Sequence, residues 1–235
     1  MKWVMAVCLL SMTYLGGRTL AASRLAPDEW PSTVVTQVAS SHKVVALTFD
    51  ACEAGTRMPL DQSIIDVLLA RRIPFTVFMG GRFARDNSAE VRALAALPFV
   101  SIQNHSWSHP KDMRALTDEQ VRVEVTRAQQ MLTQVTGYTP TLFRFPGGHA
   151  DQRTVDLVRD MGLQVVHWRW PEGDPDPRMD ADAMVARTLG RTRSGDILVF
   201  HINSRGWHTA EALPQIIDGL SARGFQWVLL DQALR

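Results

Sequence analysis

The chain has 235 residues, of which 46% are apolar and 21% are charged, and its formal net charge is +1. These proportions are those of a globular protein, and they exclude collagen-like, low-complexity and disulfide-framework chains. The nearly neutral charge offers no basic face for phosphates, so we expect no nucleic acid partner.

Residues 1–22 are typical of a secretory signal peptide, and a domain is predicted to follow. A short basic start precedes an apolar run over 3–15, and small residues end the segment. The run is too short for a comfortable bilayer span. We therefore expect an exported protein, periplasmic or extracellular, with no stable membrane span after cleavage; an uncleaved anchor is the alternative. Cleavage would remove Cys8 and leave Cys52 as the only thiol.

After an irregular lead-in over 23–42, short apolar runs alternate with segments of helical period through the domain predicted over 43–235. The runs predict buried strands at 43–49, 74–79, 99–103, 142–145, 164–168, 196–200 and 225–230. The helical segments are 62–71, 87–96, 117–136, 151–161, 180–192 and 209–223. Thr117 and Gln120 predict a capping box at the start of the longest helix, and Gly137 predicts its end.

About seven strands alternating with helices predict an α/β fold with a parallel sheet. Polar residues stand at the carboxyl ends of several predicted strands, among them Asp50, Asn104, Arg144 and His201. In an open sheet they would be spread over roughly 20 Å, because neighbouring strands lie about 4.8 Å apart. If the sheet closes, the same ends meet at one mouth, as in barrel enzymes. We therefore predict a distorted, TIM-like (β/α) barrel.

His105 and His109 are candidate metal ligands. A spacing of four residues places two imidazoles on one side of a helical turn, which is a common way to hold a transition metal. On the spacing alone, a pair of surface or capping histidines is the commoner explanation. Their position after a predicted strand, at the same mouth as Asp50 and His201, favours the metal. Zn²⁺ suits imidazole, and a catalytic site needs a third ligand and an open position.

Asp50, Arg144 and His201 are candidates for proton transfer. Asp50 follows a buried strand, where an unpaired carboxylate is costly, and a neighbouring Arg144 would keep it ionised. His201 is the best placed general acid or base, because imidazole titrates near neutral pH. Taken singly, each has a structural alternative: a cap for Asp50, a surface side chain for Arg144 and a satisfied core position for His201.

Together these residues resemble the polysaccharide deacetylase family, the NodB-homology domain of carbohydrate esterase family 4. The resemblance covers about 43–230 and rests on Thr48-Phe49-Asp50, His105-x-x-x-His109, Arg144-Phe145-Pro146-Gly147-Gly148, Val199-Phe200-His201 and the stretch 209–217. It implies a distorted (β/α) barrel that removes N-acetyl groups from chitin-like or peptidoglycan-like glycans, usually with a divalent metal. It also implies that Asp50 is the base, oriented by Arg144, and that His201 protonates the leaving amine. By the same resemblance, His105 and His109 bind the metal.

The first motif departs from the family pattern. The family usually has a second acid after the catalytic aspartate, as the third metal ligand, and this chain has Ala51 there. Three outcomes stay open: Asp50 itself ligates, Cys52 or Glu53 substitutes, or the metal is weak or absent. A thiol is a soft zinc ligand, although a free cysteine is more often a small buried hydrophobe. The predicted cofactor is a divalent metal, with zinc the first candidate.

The segment after the fifth predicted strand also departs, because Pro171 stands where the family usually has an acid. Asp174 is expected to keep part of the role of tuning His201. Aromatic faces suit the apolar faces of sugar rings, and core packing is the alternative for each such residue. The candidate substrate-binding residues are Trp107, Trp168, Trp170 and Asp174, with Trp207 as a further aromatic candidate.

The sequence thus favours an exported hydrolase that removes N-acetyl groups from an N-acetylated polysaccharide or a related glycan. Two alternatives stay open. One is a metal-independent C–N hydrolase that acts on a non-sugar amide, and the other is a catalytically silent glycan-binding protein of the same fold. The pairing of a candidate base, Asp50, with a candidate acid, His201, favours an enzyme, because a binding module has little use for both.

Overall fold

A computed structural model of the chain describes residues 30–52 and 58–235. The predicted signal peptide and Glu53 lie outside these residues. The strands are β1 (Val44–Ala51), β2 (Phe75–Met79), β3 (Val100–Asn104), β4 (Leu142–Phe143), β5 (Gln164–Val165), β6 (Ile197–His201) and β7 (Gln226–Trp227). The helices are α1 (Gln62–Arg71), α2 (Gly81–Asp86), α3 (Ser88–Ala95), α4 (Asp118–Thr136), α5 (Gln152–Asp160), α6 (Ala181–Arg191), α7 (Thr209–Ala222) and α8 (Leu230–Ala233).

The strands form one parallel sheet in the order β5-β4-β3-β2-β1-β6, with β7 beside the start of β1. The sheet is curled, and its open side lies between β5 and β6. Two isolated bridges from the lead-in segment fill that side: Val35 pairs with Val166 after β5, and Gln37 pairs with Asp196 before β6. The predicted α/β class and distorted (β/α) barrel are confirmed.

Strand β1 lies between β2 and β6, pairs also with β7, and is buried along its whole length. A buried parallel strand reads as a continuous apolar run, which is how the sequence predicted it. Its side chains alternate between two faces. Val45, Leu47, Phe49 and Ala51 belong to the main apolar core, together with buried residues of α1 and α7. Asp50 therefore projects from the other face of the strand.

Two strands end earlier than the sequence predicts, because the chain beyond them pairs with another segment or enters a turn. β5 stops at Val165, because Val166 bridges to the lead-in. β4 stops at Phe143, since a short 3-10 turn starts at Pro146. The short helices α2 and α8 were not predicted, because four to six residues carry too little periodicity to detect.

The longest helix has the ends that its sequence predicts. The Thr117 hydroxyl accepts the backbone N–H of Gln120, and the Gln120 side chain accepts the N–H of Thr117. Gly137 ends the helix at a φ of 81°, in the left-handed region that glycine adopts readily. None of the helices in the described ranges has the length and apolar character needed to cross a bilayer.

Candidate active site

One side of the mouth holds a buried ion pair between β1 and the residue after β4. Arg144 donates from Nη1 to Oδ1 of Asp50 at 2.9 Å, and the two residues are 0% and 5% exposed. Burial raises the pKa of Asp50, but Arg144, His105 and His201 outweigh that effect and hold the pKa below its ordinary value. Asp50 is thus an ionised carboxylate with one oxygen bound to a fixed guanidinium.

The other side of the mouth holds a histidine paired with a buried carboxylate. His201 ends β6 and lies directly opposite Asp50 in the register of the two strands. Its Nδ1 is 2.9 Å from Oδ1 of Asp174. Burial lowers the pKa of His201, but Asp174 and Cys52 raise it well above its ordinary value. His201 is therefore held as an imidazolium.

Asp174 lies beneath His201 and not on a surface that faces substrate. It is 1% exposed, and Oδ2 accepts both the backbone N–H of His201 and the hydroxyl of Thr209. Its oxygens are thus committed within the protein. The structure corrects its assignment as a substrate-binding residue and places it where it orients His201 and stabilises the charged imidazole.

Glu172 is a residue of this region that sequence reasoning missed. It is fully buried, and Oε2 accepts the backbone N–H of Val199 at 2.9 Å. Glu172 and Asp174 thus accept the N–H groups of alternate residues on β6, Val199 and His201, on the side facing away from β1. Two acids separated by one residue match the period of a strand, and this spacing was the available signal for the role.

His105 and His109 are brought together by a loop and not by the predicted helical turn. The residues between β3 and the next short turn have no helical assignment, and Ser106 and His109 have φ values of 69° and 54°. Non-glycine residues rarely adopt this region, and such residues cluster at functional sites. The two imidazole centroids lie 5.1 Å apart. A spacing of four does not distinguish a helical turn from a loop that reverses within the same length.

Glu124 of α4 holds this histidine loop in place, and sequence reasoning missed it. Its carboxylate accepts the N–H groups of Trp107 and Ser108 at 3.0 and 2.8 Å, and the Ser108 hydroxyl at 2.7 Å. Glu124 lies among the buried residues Val121 and Val125 on the inward side of the helix. A carboxylate on an apolar helix stripe was the available signal, because it needs a buried partner.

The histidine loop meets Cys52 in an arrangement that fits a metal ion. The ligand atoms of Cys52, His105 and His109 all lie within 4.8 Å of one another. Nδ1 of His105 is 2.8 Å from the backbone oxygen of Arg144. Its buried Nε2 has no hydrogen-bond partner in the described part of the chain and lies 3.8 Å from Oδ2 of Asp50. An imidazole held through one nitrogen and free at the other is typical of a metal ligand.

The Cys52 thiol lies at the centre of the mouth. It is 1% exposed and follows β1 directly, two residues after Asp50. Burial raises the pKa of Cys52, but His105, His109 and His201 outweigh that effect and lower it well below its usual range. The three imidazoles thus favour the thiolate form of Cys52, which is the form that binds metals and attacks electrophiles.

The tryptophans proposed as sugar-stacking walls divide into buried and accessible residues. Trp107 and Trp170 are buried, at 6% and 4% exposure, so little of either ring is accessible to a sugar. Trp107 packs against Gly81 and under the guanidinium of Arg127, while Trp170 donates to Asp196 from the main core. The structure corrects both assignments to packing roles.

Trp168 and Trp207 are the accessible tryptophans of the predicted set. Trp168 is partly buried and lies edge-on to Gly148, whose φ of 74° and missing side chain let the ring approach. Its ring also lies 5.5 Å from the Arg144 guanidinium. Trp207 is 59% exposed on the loop that follows β6. They stay predicted substrate-binding residues.

Comparison with known proteins decides the family of the chain. The profile of the polysaccharide deacetylase family matches residues 37–166, which is more than half of the chain. The chain belongs to the polysaccharide deacetylase family. The family predicted from the motifs, and its assignment to hydrolases of this class, are thereby confirmed.

Relatives of this polysaccharide deacetylase family member include enzymes that are named as peptidoglycan deacetylases. A peptidoglycan-N-acetylglucosamine deacetylase of Bacillus cereus is 27% identical over 208 residues, covering 86% of this chain and 93% of the relative. A longer peptidoglycan-N-acetylglucosamine deacetylase of Listeria monocytogenes is 25% identical over 83% of this chain, which spans only 39% of that relative.

Solved structures show the same fold. A crystal structure of a peptidoglycan N-acetylglucosamine deacetylase superimposes with a TM-score of 0.77 at 23% identity, covering 86% of this chain and 92% of that one. A family 4 pseudoenzyme of Bacillus anthracis superimposes with a TM-score of 0.74 at 20% identity, covering 85% and 68% of the two chains. Because the fold occurs in both, the fold alone does not decide activity.

Proposed function

We propose that this polysaccharide deacetylase family member is an exported hydrolase that removes N-acetyl groups from an N-acetylated polysaccharide or a related glycan. The family and the peptidoglycan deacetylases among its relatives support this substrate class. One observation carries the proposal. A carboxylate held ionised by a buried cation lies opposite an imidazolium held by a buried anion, at neighbouring positions of one sheet.

Asp50 is the general base of the proposed reaction. Oδ1 is bound to Arg144, and this contact orients the carboxyl group and keeps it charged. Oδ2 is then the oxygen that accepts the proton of the attacking water. Arg144 is a positioning residue, since it acts on the reaction through Asp50.

His201 is the general acid. The amide nitrogen must gain a proton before it leaves, and an imidazolium with a raised pKa holds that proton at neutral pH. Asp50 and His201 are paired in the register of two neighbouring strands, about 4.8 Å apart, so both side chains are within reach of one acetamido group. Water forms a C–O bond to the carbonyl carbon as Asp50 takes its proton. The C–N bond then breaks as His201 gives its proton to the amine, and acetic acid and the free amine are released. Asp50 then loses its proton to solvent and His201 regains one, which restores the starting state.

His105 and His109 would hold the divalent metal, with zinc as the first candidate. When bound, such a metal polarises the amide carbonyl and lowers the pKa of a coordinated water. Two contacts would hold these ligands in position. The backbone carbonyl of Arg144 fixes the ring of His105, and the Glu124 carboxylate fixes the histidine loop.

We place the protein outside the cytoplasm, in the periplasm or the extracellular space. The signal-peptide pattern of residues 1–22 supports export. The relatives named for peptidoglycan support it as well, because that polymer lies outside the cytoplasmic membrane.

The test is acetate release from N-acetylglucosamine oligomers and from peptidoglycan fragments, by the purified protein with and without a chelator. We expect release that a chelator abolishes and that the Asp50→Asn variant lacks. Release that persists in the chelator would favour a metal-independent hydrolase. Tight glycan binding with no release from any acetylated glycan would show a silent binding protein and overturn the proposal.

A further inference from the structure

We propose that Cys52 is the third protein ligand of the metal, so that the site is two histidines and one cysteine with an open fourth position. This inference rests on the proposed function only for the use of the open position, because metal binding itself is measured without substrate. Cysteine, histidine and an open position form a donor set found in catalytic zinc sites, and thiolate favours zinc over harder divalent ions.

The alternation of β1 decides which side chain faces the site. Phe49 and Ala51 lie in the main apolar core, so position 51 points away from the histidines. Asp50 and Cys52 lie on the opposite face, two residues apart. The carbonyl of Cys52 accepts from Nδ2 of Asn203 at 2.6 Å, which fixes the backbone just beyond the strand. Cys52 therefore presents Sγ to the mouth.

His105 is oriented as a ligand by a contact it makes elsewhere. A carbonyl oxygen only accepts hydrogen bonds, so Nδ1 at 2.8 Å from the Arg144 oxygen carries the hydrogen of the neutral ring. Nε2 then presents a lone pair. That atom is buried, has no hydrogen-bond partner in the described ranges, and shares the 4.8 Å cluster with Cys52 and His109. A metal ion at this position would satisfy the buried Nε2 and the neighbouring Cys52 thiolate together.

His109 completes the set through a strained loop. The φ of His109 is 54°, in the left-handed region, and the φ of Ser106 lies in the same region. The backbone N–H of His109 donates to the Ser106 hydroxyl. Glu124 holds the middle of the loop from α4. The loop thus keeps a conformation that non-glycine residues rarely adopt, and it places His109 beside Cys52.

Asp50 is the competing ligand, and its contacts argue against that role. Its Oδ1 is bound to Arg144, and ligation by Oδ2 would leave the site without the base that the mechanism requires. The three-residue cluster of ligand atoms includes Cys52 and not Asp50. Cys52 therefore supplies the metal ligand, and Asp50 stays available as the base.

The experiment compares metal content and the cobalt spectrum of three proteins: the native chain, Cys52→Ser and Asp50→Asn. Co²⁺ bound to thiolate has a sulfur-to-metal charge-transfer band in the near ultraviolet, which oxygen and nitrogen ligands do not produce. We expect one zinc per chain and this band in the native protein and in Asp50→Asn. In Cys52→Ser we expect loss of the band and substoichiometric zinc. Circular dichroism checks that each variant is folded.

A further variant, Cys52→Asp, guards against misfolding of the serine protein. It keeps a ligand but replaces sulfur with oxygen, so we expect metal binding without the charge-transfer band and a weaker preference for zinc over manganese. A native cobalt protein without the band, or full zinc content in Cys52→Ser, would overturn the proposal and point to Asp50 or Glu53.

These outcomes are distinct from failure of the proposed function. A protein that binds zinc through Cys52 but releases no acetate keeps this inference and loses the deacetylase assignment. A deacetylase whose native form shows no thiolate band keeps the function and loses this inference.

Discussion

The two sides of the mouth hold opposite charges, and each charge is stabilised by a buried partner of the other sign. On the base side, the buried cation Arg144 keeps Asp50 negative. On the acid side, the buried anion Asp174 keeps His201 positive. In each case, burial disfavours the charged form, and a partner of opposite charge outweighs it together with other charged groups of the mouth. The two pKa values are thereby pushed apart, which is how a site holds an acid and a base ready at one pH.

The two sides differ in how their partners are held. Arg144 reaches Asp50 from the position after β4, and its guanidinium lies 4.0 Å over the ring of Phe78. Asp174 reaches His201 from a segment that also bonds the backbone of β6. The base side therefore depends on a side chain in a packed core, whereas the acid side is part of the sheet edge. Four changes test this comparison.

Asp50→Asn is expected to have the largest effect. It removes the base and leaves Arg144 buried beside a neutral amide, so kcat/KM for acetate release should fall by about 10²–10⁴-fold. The measurement is steady-state kinetics on an N-acetylglucosamine oligomer, with zinc content as the control for an intact site. Activity within tenfold of the native protein would show that Asp50 is not the base.

Asp174→Asn is expected to lower kcat by about tenfold and to change its pH dependence. Without the carboxylate, burial dominates and the pKa of His201 falls. A general acid must be protonated, so activity is present below this pKa and lost above it. The descending limb of the pH–rate profile should therefore move to lower pH. A lower rate with an unmoved limb would mean that Asp174 does not control the proton of His201.

Glu172→Gln is the control for Asp174→Asn, because it changes a buried acid of the same segment. It is expected to change the pH dependence of folding stability and to leave the descending limb of the pH–rate profile in place. Burial raises the pKa of Glu172 well above its ordinary value, so the folded state binds a proton that the unfolded state has released. Folding stability therefore falls as the pH rises from the unfolded to the folded pKa, by up to about 1.4 kcal/mol per pH unit. Urea unfolding should show that the free energy of unfolding falls less between pH 5 and pH 8 in Glu172→Gln than in the native protein. Parallel losses in the two proteins would contradict this.

Trp207→Ala, on the loop that follows His201, is expected to have the smallest effect. The ring is exposed, so folding stability should change by no more than about 0.5 kcal/mol. Loss of a stacking face worth about 0.5–1.5 kcal/mol should raise KM for an oligomer about two- to tenfold with little change in kcat. Trp107→Ala is the control, because its buried ring should affect stability by about 3–5 kcal/mol. An unchanged KM would remove Trp207 from the substrate surface.

Many strands and helices of the barrel could be predicted, because the sequence signals for them are local. Buried parallel strands are apolar runs, and the capping box of Thr117 and Gln120 is complete within one turn of chain. The candidate side chains of the mouth were readable too, because they follow strand ends. Glu172 and Glu124 escaped notice, since their partners are backbone N–H groups of other elements.

The sequence by itself determined the α/β class, the order of the strands' polar ends and the family motifs around Asp50, His105 and His201. Only the tertiary structure decided which groups pair. Asp50 and Arg144 are 94 residues apart, and their contact follows from the curl of the sheet. The same holds for Cys52, because its position among three histidines comes from strand alternation, a strained loop and the neighbouring strand together. Spacing in a sequence records distance along the chain, whereas charge pairing and metal binding depend on distance in space.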